Sequence, residues 1–258
     1  MSRRTLTIAR NDLALLWKDP TPAVILIVIP IVLIPFLKPV WSLVLKFEGH
    51  LDANGAEQAV PGVAILFAFY LMVFGSLPFF REYVWNTWDR LRSAPITNAE
   101  LLVGKIVPTL IMLLCQQVVL FGLGIVAFKL HVKHSLPEVM VVDLAFSLWV
   151  MGFLLLAVAF SRTFQQVVSV ANLSAILLAA LGGVLTPLKT LPSWGQTIAP
   201  VTPTYWAMRG FNDVLLEREG FGGIVVPVAV LCGAAAAFIT LAAIRFNLAE
   251  TKHGTLET

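Results

Sequence analysis

The sequence predicts an all-α polytopic membrane protein, and three observations carry that prediction. Of its 258 residues, 58% are hydrophobic and only 13% charged. Mean hydropathy is +0.86. The apolar residues are gathered into six runs of membrane-crossing length. A soluble domain is roughly a quarter charged and about half apolar, so a water-soluble globule is excluded. The runs are apolar on every face, whereas barrel strands alternate over about ten residues. The net charge of +3 lies in the loops and reads as membrane orientation, with no nucleic-acid partner.

The first twenty residues predict an interfacial helix. Leu6, Leu13, Leu16 and Trp17 share one helical face, and Arg3, Arg4, Arg10 and Lys18 are available to headgroups. A hydrocarbon core about 30 Å thick needs roughly 20 apolar residues per helix. Six spans are expected at about 21–37, 59–80, 106–128, 139–160, 167–188 and 223–244 of a single domain covering residues 1–258. The first is short and punctuated by Pro22, Pro30 and Pro35.

Orientation follows from lysine and arginine. With the N-terminus inside, eleven fall on inner segments and seven on outer ones. Both termini are then cytoplasmic, in a multi-pass protein of a prokaryotic inner or plasma membrane. Asp12, Asp19 and the proline-rich sequence that follows do not fit a cleavable signal.

Within the runs, polar chemistry is sparse. Asp143 is the only acid or base, near the outer end of the fourth span and expected to face the interface. Ser169 and Asn172 in the fifth span can hydrogen-bond between helices or line a path. Cys115 and Cys232 read as small buried hydrophobes rather than a disulfide or a metal pair. His131 and His134 supply only two ligands in an outer loop, too few for a metal site. Neither a G-x-x-x-x-G-K-[ST] loop nor a catalytic constellation occurs. No cofactor is therefore expected on this chain, and it is not expected to be an enzyme.

The inner loop from Arg81 to Lys105 is the most informative segment. Asn86 tolerates the left-handed turn that ends a helix, and Thr87 can cap a new one. Pro95 disfavours helix at Ala94, isolating about two turns from Trp88 to Ser93. Thr97-x-x-Glu100 is a capping box for the helix leading into the third span. The run Glu82, Thr87, Leu91, Arg92, Ala94, Pro95, Ile96, Thr97, Leu101, Leu102, Gly104 and Lys105 resembles the signature of type-2 ABC exporter permeases. That family includes drug-resistance and polysaccharide or lipid exporters. Asn86 stands where glycine is usual.

The resemblance implies that this segment is a coupling helix docking in a groove of the ATPase subunit. It assigns Glu82, Thr87, Asp89, Arg90, Arg92 and Pro95 to that contact, with Trp88 and Leu91 as packing anchors. Arg162, Gln165 and Gln166 resemble the second cytoplasmic contact. Pro187, Pro192, Trp194, Pro203, Tyr205 and Trp206 resemble an outer segment of re-entrant half-helices before the last span, and Thr202-Pro203 is a helix-start signal. The implied assembly is two permeases, identical or homologous, over two ATPase subunits that carry ATP and Mg, all embedded in membrane lipid. The implied cargo is drug-like, lipid or amphipathic. A secondary transporter or channel needing no ATPase is the alternative. It calls for inverted repeats with matched broken spans and ionisable groups at membrane depth.

Overall fold

In a computed structural model of the chain, residues 6, 10–12, 20–85, 97–132 and 135–245 are described. They form eight principal helices and, among the described residues, no strand. Helix α1 (Ile29–Phe47) is entered through Thr21–Ala23 and a π-helical turn at Val24–Val28. It is followed by α2 (Ala56–Val84), α3 (Asn98–Val126), α4 (Leu136–Phe160) and α5 (Phe164–Leu181). Then come α6 (Ser193–Ile198), α7 (Pro203–Leu215) and α8 (Phe221–Arg245). Six segments are long and apolar enough to span a bilayer: Val24–Phe47, Ala56–Glu82, Glu100–Val126, Leu136–Phe160, Phe164–Leu181 and Phe221–Arg245. Of the N-terminal segment, Leu6 and Arg10 to Asp12 are helical.

Two span boundaries differ from those expected. The first helix does not stop near Leu37 but continues to Phe47, with Pro35 and Pro39 inside it. Proline removes a backbone donor and breaks helices in water. In a membrane, neighbouring groups and local π adjustments re-satisfy the freed carbonyls. The fifth helix ends at Leu181, short of residue 188. Gly183 takes φ +80°, and Val184 N–H closes back on the Ala179 carbonyl at 3.1 Å, the 6→1 bond of a Schellman cap. The run of apolar residues passes through this stop without registering it.

The core is built around α2 and α4, the two most buried spans. Phe69 of α2 meets the rings of Phe146 and Trp149 of α4, and Trp149 meets Phe238 of α8. Small residues set the close approaches, as expected where lipid supplies no hydrophobic drive between helices. A Cβ at Gly152 would lie 2.9 Å from the Ala235 carbonyl oxygen of α8. On α5, Val167, Ala171, Ala175 and Ala179 form a buried stripe, and α5 packs chiefly on α2. The opposite face of α5 exposes Leu173, Ile176 and Leu177. Cys115 and Cys232 are free and exposed, contrary to the expected burial. Cys115 shares its outward stripe with Ile111 and Val118.

Candidate coupling site and outer segment

The C-terminal end of α2 and the N-terminal part of α3 are joined by a compact charge cluster. Lys105, 1% exposed, donates to the Pro78 carbonyl at 2.8 Å and to Glu82 Oε1 at 3.1 Å. Its ammonium also lies 3.6 Å from Asp12 Oδ2. Arg81 Nη2 donates to Asp12 Oδ1 at 2.9 Å, and the Arg81 guanidinium stacks over Trp85. Two acids and two bases thus neutralise one another, and Asp12 brings the N-terminal segment into the cluster. Burial pushes the Asp12 carboxyl above its ordinary range, against the pull of Lys105 and Arg81.

This cluster mounts both roots of the 86–96 segment. On the α3 side, Thr97 caps the helix: its side chain accepts from Glu100 N–H at 3.2 Å, and Glu100 Oε2 accepts from Thr97 N–H at 3.1 Å. That is the capping box read from the sequence. Thr87, Trp88, Asp89, Arg90, Leu91, Arg92 and Pro95 lie outside the described residues. Glu82 lies inside them and turns its carboxylate toward Lys105.

The residues expected to form a second contact lie at the α4–α5 corner. Thr163 caps α5 by accepting from Gln166 N–H, and Gln166 Oε1 accepts from Arg162 N–H at 2.7 Å. Arg162, Gln165 and Gln166 are exposed. A cavity of about 720 Å³ opens beside them, floored by Phe153, Leu156 and Phe160. Ser169 donates to the Gln165 carbonyl of its own helix at 2.9 Å, and Asn172 is half-buried on the same helix.

The segment between α5 and α8 is broken as its prolines dictate. After Pro187 come a 3-10 turn at Leu188–Thr190, then α6 behind Pro192, then a second 3-10 turn at Ala199–Val201. Thr202 caps α7 by accepting from Tyr205 N–H, with Pro203 in the first turn. Thr204 donates to the Leu178 carbonyl of α5, which ties α7 to the preceding span. Trp206 donates to the Pro200 carbonyl at 2.7 Å and lies at a right angle to Tyr205, while Trp194 is exposed. A 300 Å³ cavity lies between this segment and the end of α1. Two ion pairs border it, Lys189–Glu48 at 3.3 Å and Arg209–Asp213 at 3.7 Å, and His50 Nε2 lies 3.6 Å from Glu217 Oε1. Burial raises the Asp213 carboxyl, with Arg209 opposing.

Comparison with known proteins bears on this geometry. The profile of the ABC-2 type transporter family matches residues 3–216. The chain belongs to that family. The match takes in the 86–96 segment, the α4–α5 corner and the proline-rich segment before α8 of this ABC-2 protein. It is 30% identical over 155 residues to the probable multidrug ABC transporter permease YbhR of Escherichia coli K12, covering 59% of this chain and 40% of that one. It is 28% identical over 204 residues to the linearmycin resistance permease protein LnrN of Bacillus subtilis 168, covering 77% of this chain and 50% of that one. With ABC transporter G family member 20 of Dictyostelium discoideum it shares 25% identity over 187 residues, covering 71% of this chain and 25% of that one. The chain therefore spans half or less of the length of these relatives. No solved structure matches it.

Sequence reading missed Asp12 and Arg81 as site residues and took Lys105 only as part of a signature. Their proximity joins positions far apart in the chain, so no local pattern reports it. His131 has a different use from the one considered for it. Its Nδ1 lies 2.8 Å from Glu57 Oε1, and Glu57 Oε2 accepts from Gly55 N–H at 3.0 Å. His134 lies outside the described residues.

Proposed function

We propose that this ABC-2 protein is the membrane subunit of an ATP-driven exporter, turned by separate ATPase subunits that grip its inner face. The observation that carries this is the charge cluster of Asp12, Arg81, Glu82 and Lys105 at the roots of the 86–96 segment. A surface segment can transmit force only if its ends are fixed to the spans. Here Lys105 ties α3 to α2, and Arg81 ties α2 to the N-terminal segment.

In this reading ATP closes the ATPase pair, the 86–96 segments follow, and α1, α2 and α5 shift to change access to a path between two permeases. ATP and Mg are held by the ATPase partners, and this chain performs no chemistry of its own. The exposed corner of Arg162, Gln165 and Gln166 is the second grip. The outer half-helices, with Trp194, Tyr205 and Trp206, dip into the outer leaflet of a prokaryotic plasma membrane, and both termini are cytoplasmic. The cargo is drug-like, lipid or amphipathic; the names of YbhR and LnrN, multidrug and linearmycin resistance, support that choice.

Replacing Leu91 with Asp tests the coupling assignment, because it places an unpaired charge at a desolvated contact. Membrane insertion is expected to persist while co-purification with the ATPase and ATP-dependent efflux are lost. Efflux at the wild-type rate contradicts the assignment.

A further inference from the structure

The interior of the bundle holds a set of polar atoms that the exporter reading does not use. Gln116 and Gln117 on α3 are 2% and 1% exposed, and Ser147 on α4 is fully buried. Among the described residues, Gln116 Oε1 and Nε2, Gln117 Oε1, Ser147 Oγ and Asp143 Oδ1 are buried without a hydrogen-bond partner. A buried polar atom costs free energy unless something pairs with it, and an unpaired carboxylate costs far more. The hydrocarbon around the helices offers them no partner.

Two anchors fix the register that brings these residues together. A Cβ on Gly75 would meet both Thr109 of α3 and Leu154 of α4. Further out, Phe121 of α3 packs on Phe211 of α7, and the neighbouring Gly210 faces Val142 of α4. The two anchors give the same antiparallel register. Counting equal steps along both helices places Gln116 level with Ser147, and Asp143 one turn further out on α4. Positions four apart share a helix face, so Asp143 and Ser147 stack on one side. Gln116 and Gln117 belong to the buried face of α3, with Leu113 and Leu120. Gln116 and Ser147 lie near the middle of their spans, and Asp143 lies nearer the start of α4.

We propose that Asp143, Gln116, Gln117 and Ser147 bind a partly dehydrated monovalent alkali cation between α3 and α4. The donor set selects this class. Four oxygens without partners, from carboxylate, amides and hydroxyl, are hard ligands suited to alkali and alkaline-earth ions. The single carboxylate balances one positive charge, whereas calcium and magnesium sites usually recruit more acids or retain several waters. Softer metals want imidazole or thiolate, and among the described residues no group of three or more His, Cys, Asp and Glu is assembled. The cation supplies the charge that no described lysine or arginine brings to Asp143 Oδ1. The site faces the interior of one bundle, away from the outward face of α5. It therefore tunes the stability of the α3–α4 pair.

The experiment is direct binding of radioactive sodium to the full chain in lipid nanodiscs, with N-methyl-D-glucamine chloride holding ionic strength constant. Saturable binding of about one ion per chain, displaced by unlabelled sodium or potassium, is expected. Asp143→Asn, which keeps the shape and removes the charge, should weaken binding by about tenfold or more. Gln117→Leu, a neutral change, should weaken it less. Absence of saturable binding to the wild-type chain overturns the proposal, and so does Asp143→Asn binding as tightly as wild type. Either result would leave the polar atoms to water or to a proton. If Asp143→Asn does not fold, the wild-type isotherm and Gln117→Leu decide, and unchanged binding in Gln117→Leu counts against the site.

Discussion

Arg81 Nη2 and Asp12 Oδ1 lie 2.9 Å apart, and the Asp12 side chain is 2% exposed. One contact thus fastens the N-terminal segment to the C-terminal end of α2, beside the 86–96 segment. Because Asp12 is buried among two cations and one acid, its charge state is tied to folding. Burial raises its carboxyl above the ordinary value of 3.8. A carboxyl with a raised folded-state value holds its proton more tightly when folded. Its contribution to stability is therefore full below about pH 3.8 and declines as pH rises through the folded value. Asp12→Asn should flatten that decline. Thermal unfolding in nanodiscs across acid pH checks this; parallel curves for wild type and variant would contradict it.

Lys105→Met should be costly for a different reason. It leaves Glu82 and Asp12 facing each other without the ammonium that lies 3.1 and 3.6 Å from them. Breaking a buried pair on one side costs about 3 kcal/mol or more. A double variant, Lys105→Met with Glu82→Gln, should recover part of the loss, which a thermal-unfolding cycle would measure.

Thr97→Ala removes one half of a reciprocal cap. Such caps contribute about 1 kcal/mol. Thr97 starts α3 at the edge of the 86–96 segment, so faster amide hydrogen exchange should be confined to the first turn of α3. Exchange that rises equally along the whole helix would contradict this.

Gly152→Leu tests the principal helix pair. Its side chain would run into the Ala235 carbonyl, a backbone atom 2.9 Å from the first carbon. Backbone cannot step aside as a flexible side chain does, so overpacking should cost about 1–3 kcal/mol. The readout is a lower unfolding temperature in nanodiscs, and an unchanged one contradicts the close packing of α4 on α8.

Much of this molecule was legible because lipid simplifies the code. Runs apolar on every face can only be buried or lipid-facing helices, so six spans follow from counting. Caps were legible too: Thr97-x-x-Glu100 and Thr202-Pro203 act through neighbours within one turn. The end of the first span near Leu37 was not legible: the helix runs on to Phe47 through Pro35 and Pro39, because the helix-breaking effect of proline is strongest in water. Asp12, Arg81 and Lys105 form a site only when three segments meet. Gln116 and Gln117 are uncharged and therefore inconspicuous in a search for ionisable residues, yet they are among the most buried polar side chains. Asp143, expected to face the interface, is half-buried and has one oxygen out of contact with solvent.

The central claim is that motion of this gate is supplied by a separate, ATP-hydrolysing chain. It is tested most directly in vesicles holding the protein and an amphipathic cargo, with and without such a partner. Uphill accumulation that needs both the partner and ATP is the predicted result. Accumulation driven by an ion or pH gradient, with the protein alone, would contradict it.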